Sequence, residues 1–157
     1  MDNKMLEKLV NEYSPALYRV AFSKTGDSEL SKDIAQQAFL LLYEKQPHFD
    51  SRDQLKVWLI RVTCKLAASE KRRFDYSHTV PLEKASDRVK SDELLFEFAD
   101  LLRELPESLR LVTVLFYIED MSVSDISETL GISKGSVKTR LSRARDRLEI
   151  LYKEGLV

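Results

Sequence analysis

The stretch Asp120-Met-Ser-Val-Ser-Asp-Ile-Ser-Glu-Thr-Leu-Gly-Ile-Ser-Lys-Gly-Ser-Val-Lys-Thr-Arg-Leu-Ser-Arg-Ala-Arg-Asp-Arg147 spells two short helices joined by a glycine turn, the second of them basic. Ser122 is placed to cap the first helix, with Asp125 at the capping-box position, and Val123, Ile126 and Leu130 share one face. Gly131 supplies the break. Ser133 caps the second helix, in which Val137, Leu141, Ala144, Leu148 and Leu151 recur at spacings of four and three and form one buried stripe. At about 100° per residue, Gly135, Ser136, Lys138, Thr139, Ser142 and Arg143 face solvent, with Lys134 at the start and Arg140, Arg145 and Arg147 on the flanks. This is how a DNA-reading helix-turn-helix is written. Gly135 has no side chain to hold the backbone off a groove floor. Ser136 and Thr139 can donate or accept at base edges, and the lysines and arginines can meet guanine or phosphate. An ordinary basic helix closing a helical domain would also end in Lys and Arg, but it has no need of both caps, the turn glycine and the second stripe together.

Outward from this motif, periodicity remains helical and strand-like alternation is missing, so the fold class is all-α: two small helical domains joined by a flexible linker, the second a four-helix domain with the helix-turn-helix. The expected division is 1–73, a linker at 74–93, and 94–157. In the first part the pattern predicts a helix over Asp2 to Glu12 and a restart at Ser14-Pro15 running through Phe22. A long helix follows over Ser28 to Lys45, burying Ile34, Ala38, Leu41 and Leu42. After a loop from His48 to Asp53, another helix spans Gln54 to Arg73 with Leu55, Trp58, Leu59, Val62 and Leu66 as its apolar face. The segment Phe74 to Lys90 loses periodicity and contains Pro81. Beyond it, Leu94, Leu95, Phe98, Leu101 and Leu102 form a helix ending near Leu105-Pro106, and Ser108 to Ile118 form the next.

The net charge of −1 conceals an uneven distribution. Lys134 to Arg147 carries six basic residues against one acid, and Arg61 to Arg73 five against one, whereas Asp87 to Asp120 carries nine acids against four bases. Two positive patches suit a chain that touches a polyanion twice. Cys64 is alone, which excludes an internal disulfide and every paired-cysteine zinc site, and His48 and His78 have no partner at ligand spacing. No metal or cofactor is therefore expected. Asp33 with Gln37, or Asp100 with Glu104, could place polar groups on one helical face for acid–base work. Such i, i+4 pairs are routine on surfaces, and no nucleophile, phosphate loop or metal pattern accompanies them, so no catalytic residue is assigned. With neither a signal peptide nor a spanning apolar run, a cytoplasmic chain without stable membrane insertion is expected.

These residues resemble those of the extracytoplasmic-function (ECF) sigma factors, promoter-recognition subunits of bacterial RNA polymerase. Leu105-Pro106, Arg110, Asp125-Ile126-Ser127 and Gly131 to Leu141 look like the domain that reads the minus-35 element. Leu17-Tyr18-Arg19, Asp33 to Phe39 and Trp58 to Val62 look like the domain that binds polymerase and the minus-10 element. The resemblance implies that core RNA polymerase is held by Asp33, Gln36, Gln37 and Phe39. It implies that melted minus-10 DNA is gripped by Phe49, Ser51, Arg61, Lys65, Lys71, Arg72 and Arg73, and that duplex minus-35 DNA is read by Lys134, Gly135, Ser136, Lys138, Thr139, Arg140 and Arg143. Trp58 could stack on a base, but its place in the apolar stripe favours the core, and helical spacing offers Phe39 the same alternative. Lys65 stands where the family most often has Asn, and Ser69 and Glu70 replace a more usual Asp and basic residue, so the resemblance does not fix the minus-10 preference. An anti-sigma factor is the further partner implied. The rival from the same physical class is a DNA-binding regulator that keeps the architecture without recruiting polymerase; a pure adaptor would not need the basic helix.

Overall fold

The structure, a computed structural model, describes residues 1–73 and 99–155, and every regular element among them is helical. The chain divides into two compact units, Met1–Thr79 and Val80–Val157. The division falls inside the 74–93 segment expected as a linker; that segment, with Leu94, Leu95 and Phe98, lies outside the described residues.

The first unit is built from α1 (Asn3–Thr25), α2 (Ser28–Lys45) and α3 (Arg52–Arg73), each packed on the other two. The expected break before Pro15 does not occur: α1 runs through it. Proline costs a helix one N–H bond to the carbonyl four residues back, here that of Asn11. Both residues are exposed, so water can satisfy that carbonyl, while Leu9, Tyr13, Ala16, Leu17, Val20 and Ala21 keep one buried stripe across the proline. Asp2 caps α1, its carboxylate accepting from the Met5 N–H at 2.8 Å, and Gly26 ends it at φ 67°. Asp27 then caps α2.

The buried face of α3 is rotated from the one expected. Leu55 and Leu59 are buried, but Ile60, Thr63, Cys64 and Ala67 complete the face, and Trp58, Val62 and Leu66 are half-buried beside it. Small side chains explain the rotation. Ala67 meets Ala21 and Ile34 in one cluster, where bulkier residues would hold three helices apart. Thr63 is admitted because its hydroxyl donates to the Leu59 carbonyl at 2.8 Å. Burial likewise pushes the Cys64 thiol up to about 12, by desolvation of the thiolate, with Lys24 opposing.

In the second unit, α4 (Ala99–Glu104) and α5 (Glu107–Thr113) precede a π turn over Val114–Ile118, then α6 (Val123–Leu130) and α7 (Lys134–Lys153). Arg110 joins α4 to α5: its Nε donates to the Leu102 carbonyl at 2.9 Å and Nη2 to that of Leu105 at 3.0 Å. Leu102 lies in the last turn of α4, where its carbonyl also accepts from the Leu105 N–H at 3.2 Å, and Leu105 follows the helix end. Burial lowers the Arg110 pKa, with Glu107 opposing. The helix expected over Ser108 to Ile118 is present, but its last turn widens to π geometry, closed by the Glu119 N–H on the Val114 carbonyl at 3.0 Å. Val112, Val114, Leu115, Ile126 and Val137 form the centre of this unit.

Candidate nucleic-acid interface

Local chemistry fixes the angle between α6 and α7. The Ser122 hydroxyl accepts from the Asp125 N–H at 3.0 Å, as the capping position requires. Gly131 ends α6 at φ 67° and ψ 34°, its N–H bonded to the Ser127 carbonyl, and the Ser127 hydroxyl donates to the Ile132 carbonyl. The Ser133 hydroxyl then accepts from the Ser136 N–H at 3.0 Å and starts α7. Ile126, Val137, Leu141 and Ala144 are all buried, locking the helix pair onto the π turn and α5.

With that stripe inward, Lys134, Gly135, Lys138, Thr139 and Arg143 are exposed, and Ser136 and Arg140 are half-buried beside them. Among the described residues, Lys134, Lys138, Arg140, Arg143 and Arg147 have no ion-pair partner, whereas Lys153 at the far end meets Glu149 at 3.0 Å. The first turn of α7 contains no acid. The expected reading residues therefore lie together as an unneutralised cationic surface with small residues along its middle.

The expected minus-10 residues are assembled less uniformly. Phe49 is half-buried, its ring edge-on to Trp58 with centroids 6.0 Å apart and planes at 71°, so Trp58 is the partly accessible wall of an aromatic corner and not a core residue. Ser51 is exposed, but its hydroxyl accepts from the Gln54 N–H at 3.2 Å and so starts α3. The Gln54 side chain in turn accepts from the Asp50 N–H at 2.9 Å. Arg52, which the sequence did not single out, ties α3 to α1 through Glu12 at 2.7 Å; hydrogen bonding to Tyr13, and then the charge of Glu12, raise its pKa. Arg61 is half-buried and Lys65 exposed, with no ion-pair partner for Lys65 among the described residues. Lys71, Arg72 and Arg73 close α3, and their side chains lie outside the described residues.

On α2, Asp33, Gln36 and Gln37 are exposed along one face. Phe39 is not on it. At 5% exposure it belongs to the core with Ala35, Ala38 and Leu42, and it holds α2 in place without offering a surface anchor. The apolar groups on the exposed face are Leu40, 58% exposed and three to four positions from Gln37 and Gln36, and Tyr43, 42% exposed and three positions further on. The run Leu40-Leu41-Leu42 hid this, because three consecutive leucines cannot all face inward on a helix with about 3.6 residues per turn. Only Leu42 is buried, and Leu41 is half-buried.

Among the described residues there is no group of acids, histidines or cysteines able to hold a metal ion, and no helix is long and apolar enough to cross a membrane.

Residues 9–75 match the family model for Sigma-70 region 2, and residues 95–148 that for Sigma-70, region 4. Similar characterised proteins include the ECF RNA polymerase sigma factor SigW of Bacillus subtilis, 28% identical over 94% of this chain and 88% of that one. SigM of the same organism is 26% identical over 96% and 97%. Among solved structures, the chain resembles CnrH in complex with the cytosolic domain of CnrY, with a TM-score of 0.68, 26% identity, and coverage of 98% of this chain and 90% of that one. A sigma factor RpoE bound to the anti-sigma factor NepR from Bartonella quintana shares the fold, with a TM-score of 0.69, 23% identity, and 96% and 98% coverage.

Proposed function

The chain belongs to the sigma-70 family, in its ECF branch, and from that premise we propose how its residues direct promoter-specific initiation by bacterial RNA polymerase. It is an initiation factor: the polymerase supplies the chemistry of RNA synthesis, and this chain supplies attachment and sequence choice. The observation that carries this is the pairing, in one chain and in this order, of region 2 with a region 4 whose reading helix bears unneutralised cations.

In the first unit, Asp33, Gln36 and Gln37 offer hydrogen-bonding groups to core polymerase, and Leu40 and Tyr43 replace Phe39 as the apolar anchors between them. An interface with an aromatic and aliphatic centre and a polar surround suits stable attachment. Phe49, Ser51, Arg61, Lys65, Lys71, Arg72 and Arg73 face melted minus-10 DNA, with Trp58 and Phe49 as the apolar corner against which an unstacked base can rest. In the second unit, Lys134, Gly135, Ser136, Lys138, Thr139, Arg140 and Arg143 read duplex minus-35 DNA. In this reading the expected 74–93 linker sets the spacing of the two promoter elements; the family matches end at residue 75 and resume at 95. An anti-sigma factor is the regulatory partner, the kind of protein to which the similarly folded RpoE is bound, and the working compartment is the cytoplasm, where polymerase and promoter are found.

The test mixes the purified chain with bacterial core RNA polymerase and a randomised promoter library and sequences the transcripts. Starts downstream of a shared two-part motif are the expected result. Duplex binding without any transcript would overturn it in favour of a regulator that does not recruit polymerase.

A further inference from the structure

We propose that the Tyr117 hydroxyl and the Arg145 guanidinium together form a phosphate-contact site on one flank of the reading helix, with Tyr117 as the positioning residue. The inference rests on the assignment of α7 as the helix that enters DNA.

Arg145 Nη1 donates to the Tyr117 hydroxyl oxygen at 3.0 Å, across 28 positions of sequence. Both side chains are exposed, Tyr117 by 47%, so the bond is not there to satisfy a buried group. The π turn makes it possible. Val114, Leu115 and Glu119 are buried around it, and the widened turn brings Tyr117 outward between the half-buried Phe116 and Ile118. Phe116 stands edge-on to the tyrosine ring at 4.9 Å and 84°, which fixes the plane of the phenol.

The donors then outnumber the acceptors. The tyrosine oxygen accepts from Arg145, which leaves its own proton to donate, and among the described residues neither that proton nor the remaining guanidinium N–H groups have a protein acceptor. A positive charge beside a free hydroxyl donor, with no carboxylate to neutralise it, is a site for an oxyanion. Its position says which one. Arg145 shares a flank of α7 with Lys134 and Lys138, whereas Arg140, Arg143 and Arg147 follow the other, and eleven residues from Lys134 to Arg145 at about 1.5 Å each extend the rail by roughly 16 Å. A helix about 10–12 Å wide fills a major groove about 12 Å wide, so both flanks meet the phosphate walls. The ligand is a backbone phosphate of the duplex, and the tyrosine holds the long arginine side chain near its bound position before DNA arrives.

The experiment uses the full chain loaded on core RNA polymerase, a promoter duplex chosen by the library, and a series of single methylphosphonate substitutions that neutralise one phosphate at a time. Arg145→Ala should weaken binding about tenfold, flatten the dependence of log K on log salt by about 0.9, and abolish the penalty at one methylphosphonate position without changing the preferred sequence. Tyr117→Phe should weaken binding about threefold with unchanged melting, and Arg145→Lys should keep the salt slope but lose its dependence on Tyr117. An unchanged slope and methylphosphonate pattern in Arg145→Ala overturns the phosphate site. Wild-type binding by Tyr117→Phe, beside a defective Arg145→Ala, overturns the positioning role. If the wild-type complex has no minus-35 sequence preference at all, it is the reading assignment of α7 that has failed.

Discussion

Replacing Gly131 by alanine isolates the turn that aims the reading helix. Gly131 sits at φ 67°, and a Cβ built there has nothing within 4 Å, so alanine meets backbone strain and no steric wall. The left-handed conformation costs an L-residue about 1–2 kcal/mol, and alanine returns about 0.4–1 kcal/mol by restricting the unfolded chain. The net loss expected is about 1 kcal/mol, roughly a fivefold rise in the open population of the second unit. Gly26 provides an internal control, with φ 67° and equally open surroundings at the end of α1. Hydrogen exchange resolved by segment should assign the loss from Gly131→Ala to α6 and α7, and that from Gly26→Ala to α1 and α2. Minus-35 binding should weaken in the first variant only, and Gly131→Asn, which tolerates the left-handed region better, should recover part of it. The reasoning fails if Gly131→Ala is neutral in exchange while Gly26→Ala is not, since the two positions share the positive φ and the open surroundings on which the strain argument rests.

Leu40→Glu should weaken attachment to core polymerase at least tenfold in a pull-down titration while leaving thermal stability within about 0.5 kcal/mol, because the side chain is exposed; Phe39→Ala should instead cost about 3–5 kcal/mol of stability. Arg140→Ala should lower the salt slope of duplex binding by about one and leave sequence choice intact, whereas Thr139→Ala or Lys138→Ala should relax it in a binding-site selection. Cys64 gives a pH signature. Burial pushes its folded thiol up to about 12, above the range of an exposed thiol, so the unfolded chain loses its proton first, and stability is full below about pH 9 and falls as pH rises from there towards 12. Urea titrations should show that decline in the first unit and lose it in Cys64→Ala.

The second unit was largely legible in the sequence because its signals are local. Ser122, Gly131 and Ser133 act on the backbone within a few residues of themselves, so their positions alone fix the ends of α6 and α7. The first unit was less legible, and the reasons are tertiary. The inward face of α3 depends on Ala21, Ile34 and Ala67 meeting, and a helix with apolar residues at 58, 59, 60, 62 and 66 does not state which of them faces two neighbours at once. Phe39 is buried and Leu40 exposed for the same reason. Continuity through Pro15 depended on the exposure of Asn11, which no periodicity encodes. Tyr117 was invisible because a π turn shifts the register by one residue, and nothing in Val114 to Ile118 marks it.

The charge placement on α7 opposes the stability of the isolated chain. Lys134 and Lys138 lie in the first turns of a helix whose N-terminus already carries about half a positive charge, where an acid would stabilise by about 0.3–1 kcal/mol. None is present in the first turn, although α2, α3, α5 and α6 all begin with one. Four more arginines follow by Arg147, and among the described residues none has a carboxylate partner. The same arrangement becomes favourable when phosphates line both sides of the helix, because the macrodipole and every flanking cation then act in one direction. A local rule broken this consistently, at the surface and beside a well-capped turn, is expected where a ligand completes the electrostatics, and a polyanion completes all of these terms at once.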